Sequence, residues 1–167
     1  MSDEPKKKTA EVKTVKSDYF EFSYDHSKIQ QTGEIVLEAI FKLDKAKDPQ
    51  LLAKTAIEAV QTRNKQQPIG IACSGCAFRN ISPQDAKRLK TPNFTTSTGY
   101  IIESLGLKGT KIGGAQISTH HANFILNTGN ATAPDVLKLI NMIKELARQK
   151  YNLELKEEIF FIGDFNN

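Results

Sequence analysis

The sequence predicts an α+β domain, in which helices and strands are intermixed irregularly along the chain. Two observations indicate this class. Apolar residues recur at helical spacing in two long stretches, near 49–66 and 133–150, while short apolar runs punctuated by glycines are typical of strands. The regular strand–helix–strand period of a parallel sheet is missing from this pattern. With 167 residues, the chain is long enough for one domain with a substantial core.

The first 47 residues predict a tail followed by extended segments. Residues 1–17 form a basic segment that we expect to be flexible, with the first ten residues least ordered, and residues 18–167 form the domain. Aromatic side chains at 20, 22 and 24 share one face of an extended segment. After a turn at 30–33, the run EIVLEAIFKL at 34–43 is rich in branched and apolar residues and predicts a strand.

A helix is predicted to begin at Asp48 and Pro49, because aspartate caps free backbone N–H groups and proline suits the first helical position. Its periodic positions end before Pro68 and are Leu51, Leu52, Thr55, Ala56, Ala59 and Val60. Residues 70–83 predict a strand or loop with tight turns. Residues 83–97 predict a loop with one helical turn at 84–89.

The second half predicts a short helix, two strands, a long helix and a closing strand. In TGYIIESLGLKG, the residues placed on or near the buried side of the short helix are Tyr100, Ile101, Leu105 and Leu107. KIGGAQIS and HANFILN each predict one strand. Thr132 and Asp135 predict a capping box that opens a helix at about 133–150. EEIFFIG at the end predicts a strand.

Composition and charge exclude several functional classes. The net charge is +4, and the lysines at 6, 7, 8, 13 and 16 belong to the tail, so we predict a solvated tail and no nucleic-acid partner. No apolar run reaches the ~20 residues of a membrane span, and the start lacks the apolar core of a signal peptide. We therefore expect a cytoplasmic protein without a membrane partner.

The two cysteines, Cys73 and Cys76, stand three apart in CSGCAFRN and allow three interpretations. They are a redox pair, half of a metal site, or small residues in a tight turn. A structural zinc site needs four ligands, and His26, His120 and His121 lie far away in sequence, so we predict no metal. A redox pair would be expected to open a helix, and no helical pattern follows. The residues alone leave the redox pair and the turn open.

Several strings of this sequence resemble one family in its order and spacing. They are GLKG, IGGAQIS, HANFILNTGNAT with a long helix after it, SGCAFRN, RNKQQP, LELKEEIFFIG, and FSYDHS before EIVLEAIFKL. The family they resemble is UDP-N-acetylenolpyruvoylglucosamine reductase (MurB), and the resemblance runs over about residues 20–163. It implies a MurB-like C-terminal, substrate-binding domain for residues 18–167.

The resemblance implies an oxidoreductase of peptidoglycan biosynthesis. The family reduces UDP-N-acetylglucosamine enolpyruvate to UDP-N-acetylmuramate, with FAD that is reduced by NADPH. The family carries its flavin on an N-terminal domain that this sequence does not include, so we expect no FAD on this chain alone and a possible separate FAD-binding domain as partner. The alternative is a catalytically impaired UDP-sugar-binding fragment of the same family. A third class is a thiol redox protein that uses both cysteines.

The family reaction adds a hydride to the β-carbon of an enol ether and a proton to its α-carbon. Cys76 stands at the family's Ser/Cys position, which implies the proton donor, and Glu158 matches an acidic residue that implies a role beside the substrate carboxylate. A slip of one residue would pass that role to Glu157. The resemblance implies that Arg79 and Asn80 contact the substrate and its diphosphate. Further substrate-binding positions implied by the resemblance are Gln116, His121 and Asn123.

One position departs from the family pattern in its charge. Counting back from the run IVL aligns Tyr24 with the family's tyrosine and Asp25 with its catalytic arginine. That arginine supplies positive charge near the reacting carboxylate, and an aspartate supplies the opposite sign. The resemblance therefore implies that this chain is a poor catalyst.

Overall fold

The computed structural model describes residues 11–163, and the chain divides into two compact units, Met1–Lys47 and Asp48–Asn167. The first ten residues of the predicted tail lie outside the described residues. In the first unit, a short 3₁₀ helix spans Ser17–Phe20, and α1 spans Ile29–Thr32. Gly33 ends α1 with a φ of 69°, a left-handed conformation that glycine adopts without a steric cost.

The extended segment predicted around the aromatic residues is wrong. Phe20 ends the 3₁₀ helix, and its ring stacks on that of Phe22 with centroids 5.2 Å apart. Ser23 and His26 exchange two backbone hydrogen bonds, which puts Tyr24 and Asp25 at the tip of a tight turn. The ring stacking and the turn hydrogen bonds form between residues close in sequence, so these residues fold back on themselves instead of extending.

The strand predicted at 34–43 is also wrong, since no strand forms there. A strand needs a neighbouring strand to satisfy its backbone N–H and C=O groups. No backbone hydrogen bond between described residues involves residues 34–43. The apolar side chains of Ile35, Leu37 and Phe41 are correspondingly exposed.

The second unit begins with α2, Pro49–Gln66, as predicted. The Asp48 side chain accepts hydrogen bonds from the backbone N–H groups of Gln50 and Leu51, both at 3.0 Å, which confirms the cap. None of its residues is buried, although apolar groups recur at helical spacing. Over residues 11–163, no helix has the length and apolarity that a membrane crossing requires.

Four strands form one antiparallel sheet in the order β1–β4–β3–β2. They are β1 Cys73–Cys76, β2 Lys111–Ile112, β3 Ala115–Ile117 and β4 Phe124–Asn127. The prediction of a single strand in KIGGAQIS is therefore wrong, because its two central glycines form the turn of a hairpin between β2 and β3. The prediction of a strand in HANFILN is confirmed by β4.

Three further α-helices complete the second unit: α3 Pro83–Arg88, α4 Thr98–Ser104 and α5 Ala133–Tyr151, with a short 3₁₀ helix at Pro92–Phe94. All three were predicted, and the capping box of Thr132 and Asp135 is present at the start of α5. In α4, Ile101 is buried as predicted, but Tyr100 is exposed and Ile102 takes the buried place. Tyr100 and Ile102 are two positions apart and point in nearly opposite directions on a helix, about 200° apart, so the buried face of α4 is centred on Ile101 and Ile102 and turns Tyr100 outward.

The core lies between α5 and one face of the sheet. It combines α5 with strands β3 and β4, helix α4, the chain just after β1 and the chain after α5. The buried residues include Phe78, Ile101, Ile102, Ala115, Ile117, Ile125, Leu139, Ile140, Ile143, Leu153 and Leu155. The closing strand predicted at 157–163 is wrong. It is reduced to one bridge between Phe78 and Glu157, because Phe160 and Ile162 beyond it are exposed and have no strand beside them.

Gly114 allows a close approach of two backbone segments, and we predict that alanine there destabilises the protein. A Cβ at this position would overlap the carbonyl oxygen of Gly129 and the backbone atoms of Asn130 and Ala131. Because backbone atoms cannot rotate aside, we expect Gly114→Ala to lower the free energy of unfolding by about 3 kcal/mol, measured by urea denaturation.

Gly106→Ala is the matched control. Gly106 has a φ of 76°, but an added Cβ would meet nothing within 4 Å, so only the left-handed strain of about 1 kcal/mol remains. Equal losses of stability for the two variants would show that the approach of the 129–131 loop is not what Gly114 permits.

Candidate functional site

The CSGC stretch is a strand with one extra residue. Cys73 pairs with Leu126, and Cys76 pairs with Phe124, so the spacing of three on β1 meets a spacing of two on β4. Gly75, with a φ of 86°, supplies the left-handed backbone of this bulge. In a regular strand, residues three apart point to opposite faces. The bulge therefore brings both cysteines to the same face of the sheet.

That face is the one turned away from α5. Ile125 belongs to the core beneath α5, so its neighbours Phe124 and Leu126 point to the opposite side. Paired residues on antiparallel strands share a face. Gln116 also pairs with Leu126, and so it lies on this second face together with the cysteines. We call this surface the open face of the sheet, meaning only the face away from α5, since Phe124 and Leu126 on it are themselves buried.

Glu158 lies next to Cys76 through a short backbone pairing. The Glu158 N–H donates to the carbonyl oxygen of Ala77 at 2.9 Å, one residue beyond Cys76. The Glu157 carboxylate instead accepts a hydrogen bond from Lys144 Nζ of α5 at 2.7 Å. Partial burial acts to raise the pKa of Glu157, but the hydrogen bond and charge of Lys144 hold it below its usual range. Of the two neighbouring glutamates, Glu158 is the one beside the thiol.

The Cys76 thiol is held in its protonated form. Burial raises its pKa above the ordinary value, and the negative charge of Glu158 raises it further. A polar contact with the Asn123 amide acts in the opposite direction without cancelling the rise. A thiol with a raised pKa is a proton donor at neutral pH and a poor nucleophile, because the thiolate is the nucleophilic form.

The charge of Glu158 can be detected through the reactivity of Cys76. In a Cys73→Ser background, we expect Glu158→Gln to lower the pKa of Cys76 and shift its alkylation by iodoacetamide to lower pH. The physical reason is that removal of a nearby negative charge stabilises the thiolate. Glu157→Gln is the matched control and should leave the profile in place, since its carboxylate faces Lys144. If only Glu157→Gln shifts the profile, the charge that acts on Cys76 belongs to Glu157 and our assignment to Glu158 is wrong.

Asn123 is buried, and its side chain holds the chain just after Cys76. Its Oδ1 accepts from the Phe78 N–H at 3.0 Å, and its Nδ2 donates to the Phe78 carbonyl at 2.7 Å. Its own carbonyl accepts from the Ala77 N–H at 2.7 Å. The sequence-based role for Asn123 was a substrate contact. With its amide engaged in this way, Asn123 positions the backbone of the site.

Arg79 and Asn80 follow this clamp along the chain. The Arg79 N–H donates to the Lys156 carbonyl at 2.9 Å, and its Nε donates to the Glu157 carbonyl at 3.2 Å. The side chain of Arg79 is half-buried, whereas Asn80 is exposed. Arg79 and Asn80, the two residues predicted to hold a diphosphate, therefore lie where the chain after Cys76 pairs with the chain around Glu158.

His121 and Gln116 are held by their own neighbours. His121 Nδ1 accepts from the Asn123 N–H at 3.3 Å, and the ring meets Phe124 edge to face with centroids 5.1 Å apart. Burial lowers the pKa of His121, so the ring is neutral at pH 7. Gln116 Nε2 donates to the Gly109 carbonyl at 3.0 Å. Both side chains are half-buried rather than fully enclosed.

Sequence reasoning missed one residue that shapes this region. Ser118 is fully buried, and its Oγ accepts from the backbone N–H groups of His120 and His121 at 3.1 and 3.3 Å. It thereby sets the turn that presents His121. A serine just before a polar turn is a weak signal in sequence, because side-chain bonds of this type occur in many loops.

The structure brings together only part of the predicted site. Within the second unit, Cys76, Glu158 and Asn123 lie in one cluster, with Arg79 next along the chain. Asp25 belongs to the first unit, which is described separately. Both cysteines are free thiols. Across residues 11–163, no group of three histidine, cysteine, aspartate or glutamate side chains is arranged to hold a metal ion.

The fold and the site define a class: an α+β domain whose sheet carries a protonated thiol with a carboxylate beside it. Residues 67–162 match the family model described as UDP-N-acetylenolpyruvoylglucosamine reductase, C-terminal domain. The chain belongs to this reductase family through that domain.

Known relatives carry the same name. The UDP-N-acetylenolpyruvoylglucosamine reductase of Synechococcus sp. (strain RCC307) is 40% identical over 147 residues, which are 88% of this chain and 44% of that protein. The enzyme of the same name from Acaryochloris marina (strain MBIC 11017) is 34% identical over 158 residues, 95% of this chain and 47% of that protein. The chain thus spans less than half the length of these relatives.

A solved structure has a similar fold. The crystal structure of UDP-N-acetylenolpyruvylglucosamine reductase (MurB) from Thermus caldophilus matches with a TM-score of 0.50 and 32% identity. The match covers 70% of this chain and 37% of that one. These findings confirm the predicted family and the predicted α+β class.

Proposed function

We propose that this chain provides the substrate-binding and proton-donating part of a UDP-N-acetylenolpyruvoylglucosamine reductase of peptidoglycan synthesis. The observation that carries the proposal is the protonated Cys76 thiol beside Glu158, on the open sheet face of a domain from this reductase family. The substrate is UDP-N-acetylglucosamine enolpyruvate, and the product is UDP-N-acetylmuramate. FAD, when bound in the assembled enzyme and reduced by NADPH, would supply the hydride for the β-carbon.

Cys76 donates the proton that the α-carbon takes up. Once the hydride has been added, negative charge builds on the α-carbon and its carboxylate, and a proton delivered from Sγ relieves it. The raised pKa supports this role because the thiol carries its proton throughout the neutral range. Asn123 positions the donor by fixing the backbone at Phe78.

Glu158 passes a proton from water to Cys76 after each turnover, from the solvent side of the thiol. Its side chain is exposed, and its charge acts directly on Cys76, so it links the donor to water between turnovers. Arg79 and Asn80 hold the diphosphate of the substrate, since a guanidinium fork suits phosphate oxygens. Gln116 and His121 contact the substrate from the open face.

The adjacent glycines Gly113 and Gly114, in the turn between β2 and β3, do not fit a flavin diphosphate. Gly114 already lies against the backbone of residues 129–131, so the space that a phosphate group would need beside it is filled. We propose that the flavin is held by the region of the relatives that this chain does not span, which a separate FAD-binding domain can supply. This chain then contributes the substrate side of the site.

The proposal is tested by restoring the missing region. The part of the Synechococcus relative that precedes its match to this chain is co-expressed with this chain and given FAD, NADPH and the enolpyruvate substrate. Mass spectrometry should detect UDP-N-acetylmuramate when both polypeptides are present and not when either is omitted. No product with the wild type and none with the Asp25→Arg variant would contradict the proposal.

The second candidate is a UDP-sugar-binding protein with impaired catalysis. Its support is Asp25 at the position that the resemblance gives to a catalytic arginine. In this case calorimetry would detect binding of the enolpyruvate substrate, weakened by Arg79→Ala, while the co-expressed pair forms product only after Asp25→Arg.

A further inference from the structure

The two cysteines of β1 form a pair that the proposed reaction uses only in part. The reaction takes a proton from Cys76 and assigns nothing to Cys73, although both side chains lie on the same face of the sheet. Both cysteines are free thiols. Two free thiols on one face of one strand can act together if their sulfur atoms can meet.

The bulge in β1 sets the separation of the two cysteines. In a regular strand, residues three apart are separated by about 10 Å and point to opposite faces. Here the cysteines lie opposite Leu126 and Phe124, which are two residues apart on β4 and therefore about 6.8 Å apart. Disulfides bridge Cα atoms that are about 4.4–6.8 Å apart. The bulge thus brings the cysteines to the upper end of the range that a disulfide spans.

The chain between the cysteines can shorten this distance. Gly75 has the widest choice of backbone angles, and a Cβ built on it would meet nothing within 4 Å, so the space beside it is open. Among the strands of residues 11–163, β1 is an edge strand with β4 on one side only. The small contraction that a disulfide needs is therefore available at Gly75 without a shift of the core.

The two thiols are also within electrostatic reach of each other. Negative charge on Cys73 acts to raise the pKa of Cys76, although burial and Glu158 contribute more to that rise. A charge has this effect only when it lies close to the titrating group. The electrostatic coupling agrees with the short separation that the strand register gives.

The two thiols differ in their access to solvent. Cys73 is exposed, whereas Cys76 is half-buried and is held in its protonated form. The thiolate is the attacking form in disulfide exchange, and its rate depends on access. A small disulfide in solution therefore reacts at Cys73 first, and Cys76 is the thiol that closes the ring.

We propose that Cys73 and Cys76 form a reversible dithiol site that exchanges with small disulfides of the glutathione type. In the first step, the Cys73 thiolate attacks one sulfur of the small disulfide, whose S–S bond breaks. A mixed disulfide forms on Cys73, and one thiolate leaves. In the second step, Cys76 loses its proton to water and attacks Cys73 Sγ, which forms the Cys73–Cys76 bond and releases the second thiolate.

The two steps balance in electrons and protons. The cysteine pair is oxidised by two electrons, and the small disulfide is reduced to two thiols. The two leaving thiolates take up the two protons that the cysteines lost. An excess of a small thiol runs the same steps in reverse.

Oxidation would remove the proton donor from the proposed reaction. In the disulfide, Cys76 Sγ carries no hydrogen, so an oxidised chain cannot protonate the α-carbon until a thiol reduces it. This consequence rests on the proposed function, whereas the dithiol site rests on the geometry of β1 alone.

The test incubates the full chain with oxidised glutathione and follows its mass and its free thiols over time. We expect an early adduct of one glutathione on Cys73, and then a monomeric chain that has lost two hydrogens and has no free thiol. Dithiothreitol should restore both thiols. Cys76→Ser should stop at a stable adduct on Cys73, and Cys73→Ser should react about tenfold more slowly than the wild type, because its remaining thiol is half-buried and protonated.

Glu158→Gln tests the closing step. Removing the negative charge beside Cys76 increases the thiolate fraction, while the thiolate of a more acidic thiol attacks less strongly, so we expect ring closure about threefold faster. Glu157→Gln is the matched control and should leave the rate of closure unchanged, since its carboxylate pairs with Lys144.

Three results would overturn the proposal: no reaction of the wild type, a mixed disulfide on Cys73 that never closes, and a disulfide between two chains. Equal circular dichroism of the wild type and the serine variants would show that the variants act on thiol chemistry rather than on folding. In the co-expressed pair, an oxidised chain should form no product until it is reduced. Turnover by a fully oxidised chain would instead contradict Cys76 as proton donor, so failure of the proposed function is distinguishable from failure of the dithiol site.

Discussion

Replacing Asp25 with arginine is expected to raise kcat/KM of the co-expressed protein by about 10²- to 10⁵-fold. The resemblance implies that this position places positive charge near the reacting carboxylate. Two unit charges ~4 Å apart at an effective dielectric constant of ~20 interact by roughly 4 kcal/mol, so exchanging repulsion for attraction changes the barrier by up to about 8 kcal/mol. Solvent screening and relaxation bring the expected gain into the stated range.

Asp25→Asn separates the removal of repulsion from the gain of attraction. Asp25 has a φ of 51°, and asparagine tolerates this left-handed conformation as aspartate does, so the substitution changes the charge with little backbone strain. We expect about half of the logarithmic gain seen with arginine. Full turnover by the wild type, with no increase for either variant, would show that this position does not face the reacting carboxylate.

Replacing Cys76 with alanine is expected to lower kcat by about 10²- to 10⁴-fold, which is the contribution of a positioned general acid. The measurement is made in the Asp25→Arg background, where the rate is large enough for a loss to be followed. The physical reason is that alanine leaves no acidic hydrogen at the position from which Cys76 donates its proton. Substrate affinity should change little, because a proton donor acts in the transition state.

Cys76→Ser and Cys73→Ala serve as controls for this experiment. A serine hydroxyl can still donate a proton, so Cys76→Ser should retain far more activity than Cys76→Ala. Cys73 lies on the same sheet face but has no proposed role in the reduction, and Cys73→Ala should leave the rate unchanged. A loss with Cys73→Ala equal to that with Cys76→Ala would favour a reaction that needs both thiols.

Much of the candidate site was predictable once the resemblance was recognised, because motif positions transfer along a sequence. Cys76 and Glu158 were each predicted as catalytic residues from the resemblance, and those roles stay predictions. The structure places the two residues next to each other. The choice between Glu157 and Glu158 was open in sequence, and it depends on which of them meets Lys144 of α5. The clamp that Asn123 applies to Phe78 joins residues 45 positions apart and has no local signature.

By itself, the sequence determined the elements whose stabilising contacts are local. The starts of α2 and α5 follow from Asp48 and from the Thr132–Asp135 box, since a cap satisfies backbone groups within three residues of itself. The tertiary structure alone decided how the strands pair and which way their side chains point. A strand exists only beside another strand, so CSGC pairs with β4 through a bulge that turns both thiols to one face, while the stronger strand pattern at 34–43 lies unpaired in the described chain.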